Sequence, residues 1–259
     1  MIRNITLPAS KVAAMIGKNP YCAVNEIFEE MKCKITGEKV KTLNDEQLLN
    51  TEELIKLSET LIPDKQIPPE KLNLEHILKV SCYNAIECDT TNKSKEIEQD
   101  IKKQISNIFP EKNLSTVSEF ITTDINTKRG IKNEDKIINK YNKRHKTTVT
   151  DNNSQFYKYP LFEITKDEVT YKFFISAKID GLHDDILIEV KNRRNRLFNK
   201  IPEYELVQME IYLRILKLDT AKLVQNFNDK TSEHIYNKDD NLWNFIIDNL
   251  YQFSHNLLK

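Results

Sequence analysis

The chain has 259 residues, and its 39 acidic and 39 basic side chains balance to a formal net charge of zero. That length suits one large domain, or one domain carrying an insertion, and no second domain is required. The balance excludes a uniform polybasic coat, so any nucleic-acid surface has to be local.

Four cysteines, Cys22, Cys33, Cys82 and Cys88, show no close pairing, and neither a signal-peptide pattern nor a long apolar run is present. Reduced thiols in an intracellular setting without a membrane span are the expectation. A zinc or iron-sulfur site built from these four is the weaker alternative, because metal sites usually place ligand pairs two to four residues apart.

Near the amino terminus, Ser10 precedes Val12, Ala13, Met15 and Ile16, and Gly17 follows, which predicts a short apolar helix capped by Ser10. Asn19, Pro20 and Tyr21 turn into a second predicted helix over residues 25–32, with Ile27, Phe28 and Met31 on its apolar face. Arg3 stands seven residues before Ser10. A guanidinium beside a hydroxyl and a helix N-terminus suits a phosphate, although a frayed terminal charge and a plain cap are the simpler reading.

Residues 33–129 carry helical patches near 45–61, 72–80 and 94–109, separated by a proline-bearing stretch at 62–69 and a polar one at 89–92. They read as a mostly helical insertion that names no partner. Gly130 then precedes a pattern in which Ile131, Glu134, Ile138 and Tyr141 share one helical stripe. A carboxylate on an apolar face needs a cation, a metal or a metal-bound water, unless Glu134 lies at the stripe's edge and reaches solvent. Lys136, Lys140, Lys143, Arg144 and Lys146 on the other faces are a solvated surface or a track for a phosphate backbone.

Residues 155–164 read as a strand, with a turn at Lys166 and Asp167. Val169, Tyr171, Phe173, Ile175, Ala177 and Ile179 then fall on every second position, a strand with one buried face that ends at Asp180. After a short turn, Ile186, Ile188 and Val190 take one face, so Leu187, Glu189 and Lys191 take the other. A β-hairpin of this kind sets Asp180 beside Glu189, next to an ammonium. Two carboxylates and a lysine at the edge of an apolar sheet suit a hard divalent cation such as Mg²⁺. Metal-assisted phosphodiester hydrolysis follows as the candidate chemistry, with Lys191 orienting or helping to deprotonate the attacking water. The bland alternative is an ordinary hairpin with a surface Glu/Lys pair.

Arg193, Arg194, Arg196 and Lys200 form a cationic run, with no acid between Lys191 and Glu203. Such a run suits phosphates, or it is a solvated loop. A predicted helix over 202–216 holds Gln208 in a stripe with Tyr204, Ile211, Tyr212 and Ile215. Its amide needs a partner: a site carboxylate, a DNA phosphate or an interhelical bond. Residues 222–227 should form a strand, and 239–258 a closing amphipathic helix with Trp243 as an anchor.

This order of an acidic helix, an Asp180 strand, Glu189, Val190 and Lys191, and a Gln208 helix resembles the PD-(D/E)XK nuclease superfamily. Closer still, it is similar to the branch containing lambda exonuclease and related viral recombinase nucleases. The resemblance covers residues 3–32 and 130–258 and leaves the middle unmatched. It implies an α/β fold, a restriction-endonuclease-like core with a central mixed β-sheet flanked by helices. Residues 1–32 would be a helical part of that core, 33–129 the insertion and 130–259 the catalytic core.

By the same resemblance, Asp180 and Glu189 bind metal with the Val190 carbonyl nearby, and Lys191 is the catalytic lysine. Glu134, following Gly130 and preceding Tyr141, helps to organise a site for two Mg²⁺ or Mn²⁺ ions. Pro202, Tyr204 and Gln208 match the glutamine-bearing helix, and Arg3 and Ser10 match the segment that holds a terminal 5′-phosphate. Two positions depart from the pattern: Lys178 stands where the phage enzyme has a small hydroxyl residue, and Ile179 replaces the eponymous proline. Lys178 is a stronger phosphate contact or a sign of different end recognition. The implied activity is that of a metal-dependent DNA nuclease, a 5′ to 3′ exonuclease resecting linear duplex ends in recombination or repair. A ring-shaped homotrimer, a single-strand-annealing partner and a location in cytoplasm, nucleus or a viral replication site go with it. An endonuclease of the same superfamily acting on DNA or RNA, and a catalytically silent DNA-binding protein, are the alternatives.

Overall fold

Strand β1 (Ile2–Pro8) leads directly into helix α1 (Ala9–Met15), and α2 (Val24–Thr36) follows after a turn. They open a computed structural model that describes residues 1–37, 80–107, 111–150 and 155–259. The helical patches expected at 45–61 and over 72–79 lie outside these residues. β1 replaces the purely helical entry expected for residues 1–32. Its alternation is short, since Ile5 and Leu7 are buried while Ile2 is exposed, so only its pairing reveals it.

β1 runs parallel to β3 (Val169–Lys178), which pairs antiparallel with β2 (Phe156–Lys166), giving a sheet of order β1-β3-β2. The turn between β2 and β3 has positive φ at Asp167 and Glu168, 49° and 63°, the type I′ sense whose twist matches paired strands. A second sheet has the order β4 (Gly181–His183), β5 (Ile186–Asn192), β6 (Thr220–Phe227) and β7 (Lys230–Asn237). Its pairs are antiparallel, parallel and antiparallel in turn. The α/β class with mixed sheets is therefore present. The expected hairpin around Asp180 is not: β3 belongs to the first sheet, and only the short β4 pairs with β5. Alternation reports a buried face and says nothing about which strand lies alongside. Ile179 and Asp180 sit where the chain leaves one sheet for the other.

The main core joins both sheets to α1, α2, α6 (Glu203–Leu216) and α7 (Asp240–Leu257), through Leu7, Val12, Phe173, Ile175, Leu187, Ile211 and Leu250. α7 is capped by Asp239, whose carboxylate accepts from Asn241 N and Leu242 N at 2.8 and 3.2 Å. The described part of the insertion is helical, as expected, with α3 (Cys82–Glu87), α4 (Thr91–Ser106) and α5 (Glu111–His145).

Helix α5 runs unbroken for 35 residues across the boundary drawn at 130. Its first half packs Val117, Ile121 and Ile125 against Cys82, Ala85, Ile101 and Ile105. Its second half packs Ile137, Ile138 and Tyr141 against Ile188, Val190 and Val224 of β5 and β6. Gly130 sits inside the helix rather than before it. A helical glycine costs about 1 kcal/mol relative to alanine, which packing at both ends outweighs. Of the expected stripe, Ile138 and Tyr141 are buried, while Ile131 is 63% exposed and Ile137 joins the buried side. All four cysteines are free thiols, and no described helix is long and apolar enough to cross a membrane.

Candidate active site

On β5 the expected alternation holds: Ile186, Ile188 and Val190 face α5, while Leu187 joins the main core on the other side. Glu189 points with Leu187, toward α6. The register that pairs Gly181 with Ile188 brings Asp180 opposite Glu189 as the next step along the ladder. Asp180 fixes that position with its side chain, since Oδ2 accepts from Val190 N at 2.7 Å. Lys191 Nζ donates to Glu189 Oε1 at 2.5 Å. The other oxygen, Glu189 Oε2, is buried and has no hydrogen-bond partner.

The electrostatics follow from two acids sharing one base in a dry place. Burial, reinforced by the Asp180 charge, pushes the Glu189 carboxyl up to about 8 against the pull of Lys191. Burial likewise raises Asp180, opposed by Lys191, the Val190 N–H and Lys178. Burial draws the Lys191 ammonium down, but the Glu189 and Asp180 carboxylates outweigh it and leave its pKa raised. The pocket is short of positive charge.

That shortage, with an orphaned carboxylate oxygen, fits a hard divalent cation at Asp180 and Glu189. Mg²⁺ needs only one or two carboxylates when waters and phosphate oxygens complete its shell. Among the described residues no three His, Cys, Asp or Glu side chains converge at metal-ligand spacing. Glu134 therefore does not join Asp180 and Glu189 in a three-acid cluster. It is half-buried on α5, the helix that packs on the Ile188 and Val190 face of β5.

Gln208 is half-buried on α6 and donates Nε2 to Tyr212 Oη at 2.7 Å, an intrahelical partner outside the three expected kinds. Tyr212 belongs to the site: burial and the Glu189 charge hold its hydroxyl pKa up, against the Gln208 bond. Periodicity placed Tyr212 on the buried stripe without a role. A hydroxyl four residues after a buried amide was the available signal.

The cationic run divides into three fates. Arg193 is 8% exposed; its Nη1 and Nη2 donate to Glu205 at 2.5 and 2.7 Å and its Nε donates to Gln225 Oε1 at 2.6 Å. This corrects the expectation that it grips DNA, because every arm of the guanidinium is already engaged. Arg194 donates to Glu98 at 2.5 Å, and Glu98, itself buried, also accepts from Thr122 and pairs with Lys102. That contact ties the loop to α4 and leaves Arg194 half-buried. Arg196 alone of the three arginines is exposed and pairs with no acid among the described residues.

Arg3 and Ser10 are not brought together. β1 is extended from Arg3 to Pro8, which alone separates them by roughly 16 Å at a rise of about 3.3 Å per residue. Because Arg3 registers with Tyr171 and Pro8 with Ser176, Ser10 lies toward the Asp180 end and Arg3 at the far end. Arg3 lines a separate cleft of about 610 Å³ with Thr6, Lys34 and Tyr171. Ser10 is exposed inside α1 and caps nothing; the N-cap is Pro8, without a side-chain bond. Lys178 is exposed at the end of β3, with Nζ 5.8 Å from the Phe156 ring, and its charge lowers Asp180.

No family model and no curated protein matches this chain. Among solved structures it is similar to an alkaline exonuclease (LHK-Exo) from Laribacter hongkongensis, at a TM-score of 0.40 and 16% identity over 68% of this chain and 85% of that one. LHK-Exo in complex with dAMP gives 0.38 and 15% over the same shares. A phage related exonuclease from Haemophilus somnus 129PT gives 0.40 and 11% over 98% of this chain and 95% of that one.

Proposed function

We propose that this protein is a metal-dependent DNA nuclease, a 5′ to 3′ exonuclease acting on the ends of linear duplexes. The observation that carries the reading is the meeting of Asp180, Glu189 and Lys191 around a buried carboxylate oxygen with no partner. Asp180, Glu189 and the Val190 carbonyl would hold Mg²⁺ or Mn²⁺. A cation bound there supplies positive charge to the phosphoryl group and acidity to a water. Lys191, beside Glu189 and next along the ladder from Asp180, is placed to orient that water by donating a hydrogen bond. Tyr212 keeps its proton beside Glu189 and presents a donor next to the reacting phosphate, with Gln208 fixing its hydroxyl. Arg196, Lys178 and Ser10 are the exposed groups for the phosphate backbone. A second ion near Glu134, a trimer and an annealing partner rest on the sequence resemblance.

The position of Arg3 favours a second reading, an endonuclease. The arginine expected at a terminal phosphate lies at the far end of β1, so end recognition falls to Lys178 and Ser10. Closed circular, linear 5′-phosphorylated and linear 5′-hydroxyl duplexes, incubated with Mg²⁺ and with wild type beside Lys191→Ala, separate the two. An exonuclease degrades the linear forms, spares the circle and loses activity in the variant. Nicked or linearised circles establish the endonuclease, and the absence of any Mg²⁺-dependent product ends the nuclease reading.

A further inference from the structure

Tyr204, Gln208 and Tyr212 follow one another at four-residue intervals along α6, about 6 Å apart along the helix axis. Tyr212 lies against the carboxylates. At the Tyr204 end a cleft of about 490 Å³ opens, lined by Lys18, Tyr21, Phe198, Lys200 and Tyr204 among others. Tyr21 is 77% exposed and meets Tyr204 in a T-shaped contact, with centroids 5.8 Å apart at 82°, so that Tyr204 covers at most one of its ring faces. Its backbone N–H donates to Asn19 Oδ1 at 2.9 Å, closing an Asx turn. Phe198 is held from both sides of its peptide: its N–H donates to Gln225 Oε1 at 3.2 Å and its carbonyl accepts from Gln225 Nε2 at 3.0 Å. Cations border these rings. Arg196 lies 5.9 Å from the Phe198 centroid and Lys200 is exposed at the rim, while Lys18 is neutralised by Glu203 at 2.9 Å.

We propose that this cleft takes an unpaired nucleobase of single-stranded DNA, stacked on Tyr21, with adjoining phosphates against Lys200 and Arg196. The inference deepens the nuclease reading and rests on it for the identity of the strand. An exposed aromatic face in a rigid, positively bordered cleft is what sequence-tolerant stacking requires. A base inside a duplex has both faces covered by its neighbours, so away from a duplex end only an unstacked base presents a free face to Tyr21. The cleft begins two helical turns from Tyr212, which puts the bound base on a nucleotide flanking the one at the carboxylates.

The test measures binding of single-stranded oligodeoxynucleotides, each carrying one 2-aminopurine stepped along from the 5′ end, with Ca²⁺ in place of Mg²⁺. Wild type, Tyr21→Phe and Tyr21→Ala are compared, and Mg²⁺-dependent hydrolysis of a linear duplex is followed in parallel. Wild type and Tyr21→Phe should quench the probe at one position. Tyr21→Ala should lose that quenching and bind about tenfold more weakly, as expected for one stacked base. An abasic nucleotide at the quenched position should make wild type and Tyr21→Ala equal. Equal affinity and quenching in Tyr21→Ala overturns the proposal, as does tighter binding of the matching oligoribonucleotide or an equal Tyr21 dependence on fully paired duplex. Hydrolysis with no Tyr21 effect removes the cleft from the account and leaves the nuclease. Tyr21-dependent quenching without hydrolysis does the reverse.

Discussion

Two buried charge clusters lie side by side at the end of β5, one around Arg193 and one around Glu189. In the first, three guanidinium nitrogens meet both oxygens of Glu205 and the Gln225 carbonyl, at 2.5 to 2.7 Å. In the second, two acids share one lysine, and Glu189 Oε2 meets nothing. Glu189 and Glu205 are equally buried, at 1% and 2% exposure, so burial does not tell the clusters apart. Hydrogen-bond accounting does. A buried charge with every lone pair and proton engaged holds a loop in place, whereas one left short requires a ligand to complete it.

The largest effect should come from breaking the satisfied cluster. Arg193→Ala strands Glu205 without its cation and should cost about 3 to 5 kcal/mol, which is about 10 °C in the thermal midpoint. Lys191→Ala should do something different in kind. Mg²⁺-dependent DNA hydrolysis should fall about 100- to 1000-fold while the melting temperature with Mg²⁺ present changes little. If the two variants melted alike, the distinction between the clusters would be lost.

A pH series sharpens it further. The folded-state pKa of Glu189, about 8, lies above its ordinary value of 4.5, so between the two the folded chain holds a proton that the unfolded chain releases. The stability this group contributes is complete below pH 4.5 and is lost as pH rises through about 8 in EDTA. Near its steepest the loss is about 1.4 kcal/mol per pH unit. Mg²⁺ should flatten that slope, and Glu189→Gln should remove it above the range in which Asp180 titrates, in melting curves recorded from acid to alkaline pH. The smallest effect concerns the arginine that neither cluster engages. Arg196→Ala should leave stability unchanged, weaken DNA binding a few-fold at all sequences and reduce the salt slope of binding by about 1.

Much of the site was legible in periodicity. The alternation of residues 186–191 puts Glu189 and Lys191 on one face of β5, because a strand's side-chain direction is set by parity alone, whereas Asp180 reaches Glu189 through the β4–β5 register, which parity does not record. The cationic run shows where that legibility stops. Arg193, Arg194 and Arg196 look alike along the chain, yet one bonds an acid 12 residues away, one an acid 96 residues away, and one stays in water. Arg3 and Ser10 fail for a related reason. Their spacing permits a shared phosphate site if the segment between them folds back, and β1 is held extended by a partner strand far away in sequence.

The amino-acid sequence by itself determined which side chains share a strand face, and so that Glu189 and Lys191 lie together on β5. Only the tertiary structure decided which charges find partners, that Asp180 meets Glu189 without a third acid at metal-ligand spacing among the described residues, and that Tyr212 lies beside them. Side-chain direction is a local property of backbone geometry. Charge compensation depends on what other elements bring across space, and no local pattern records it.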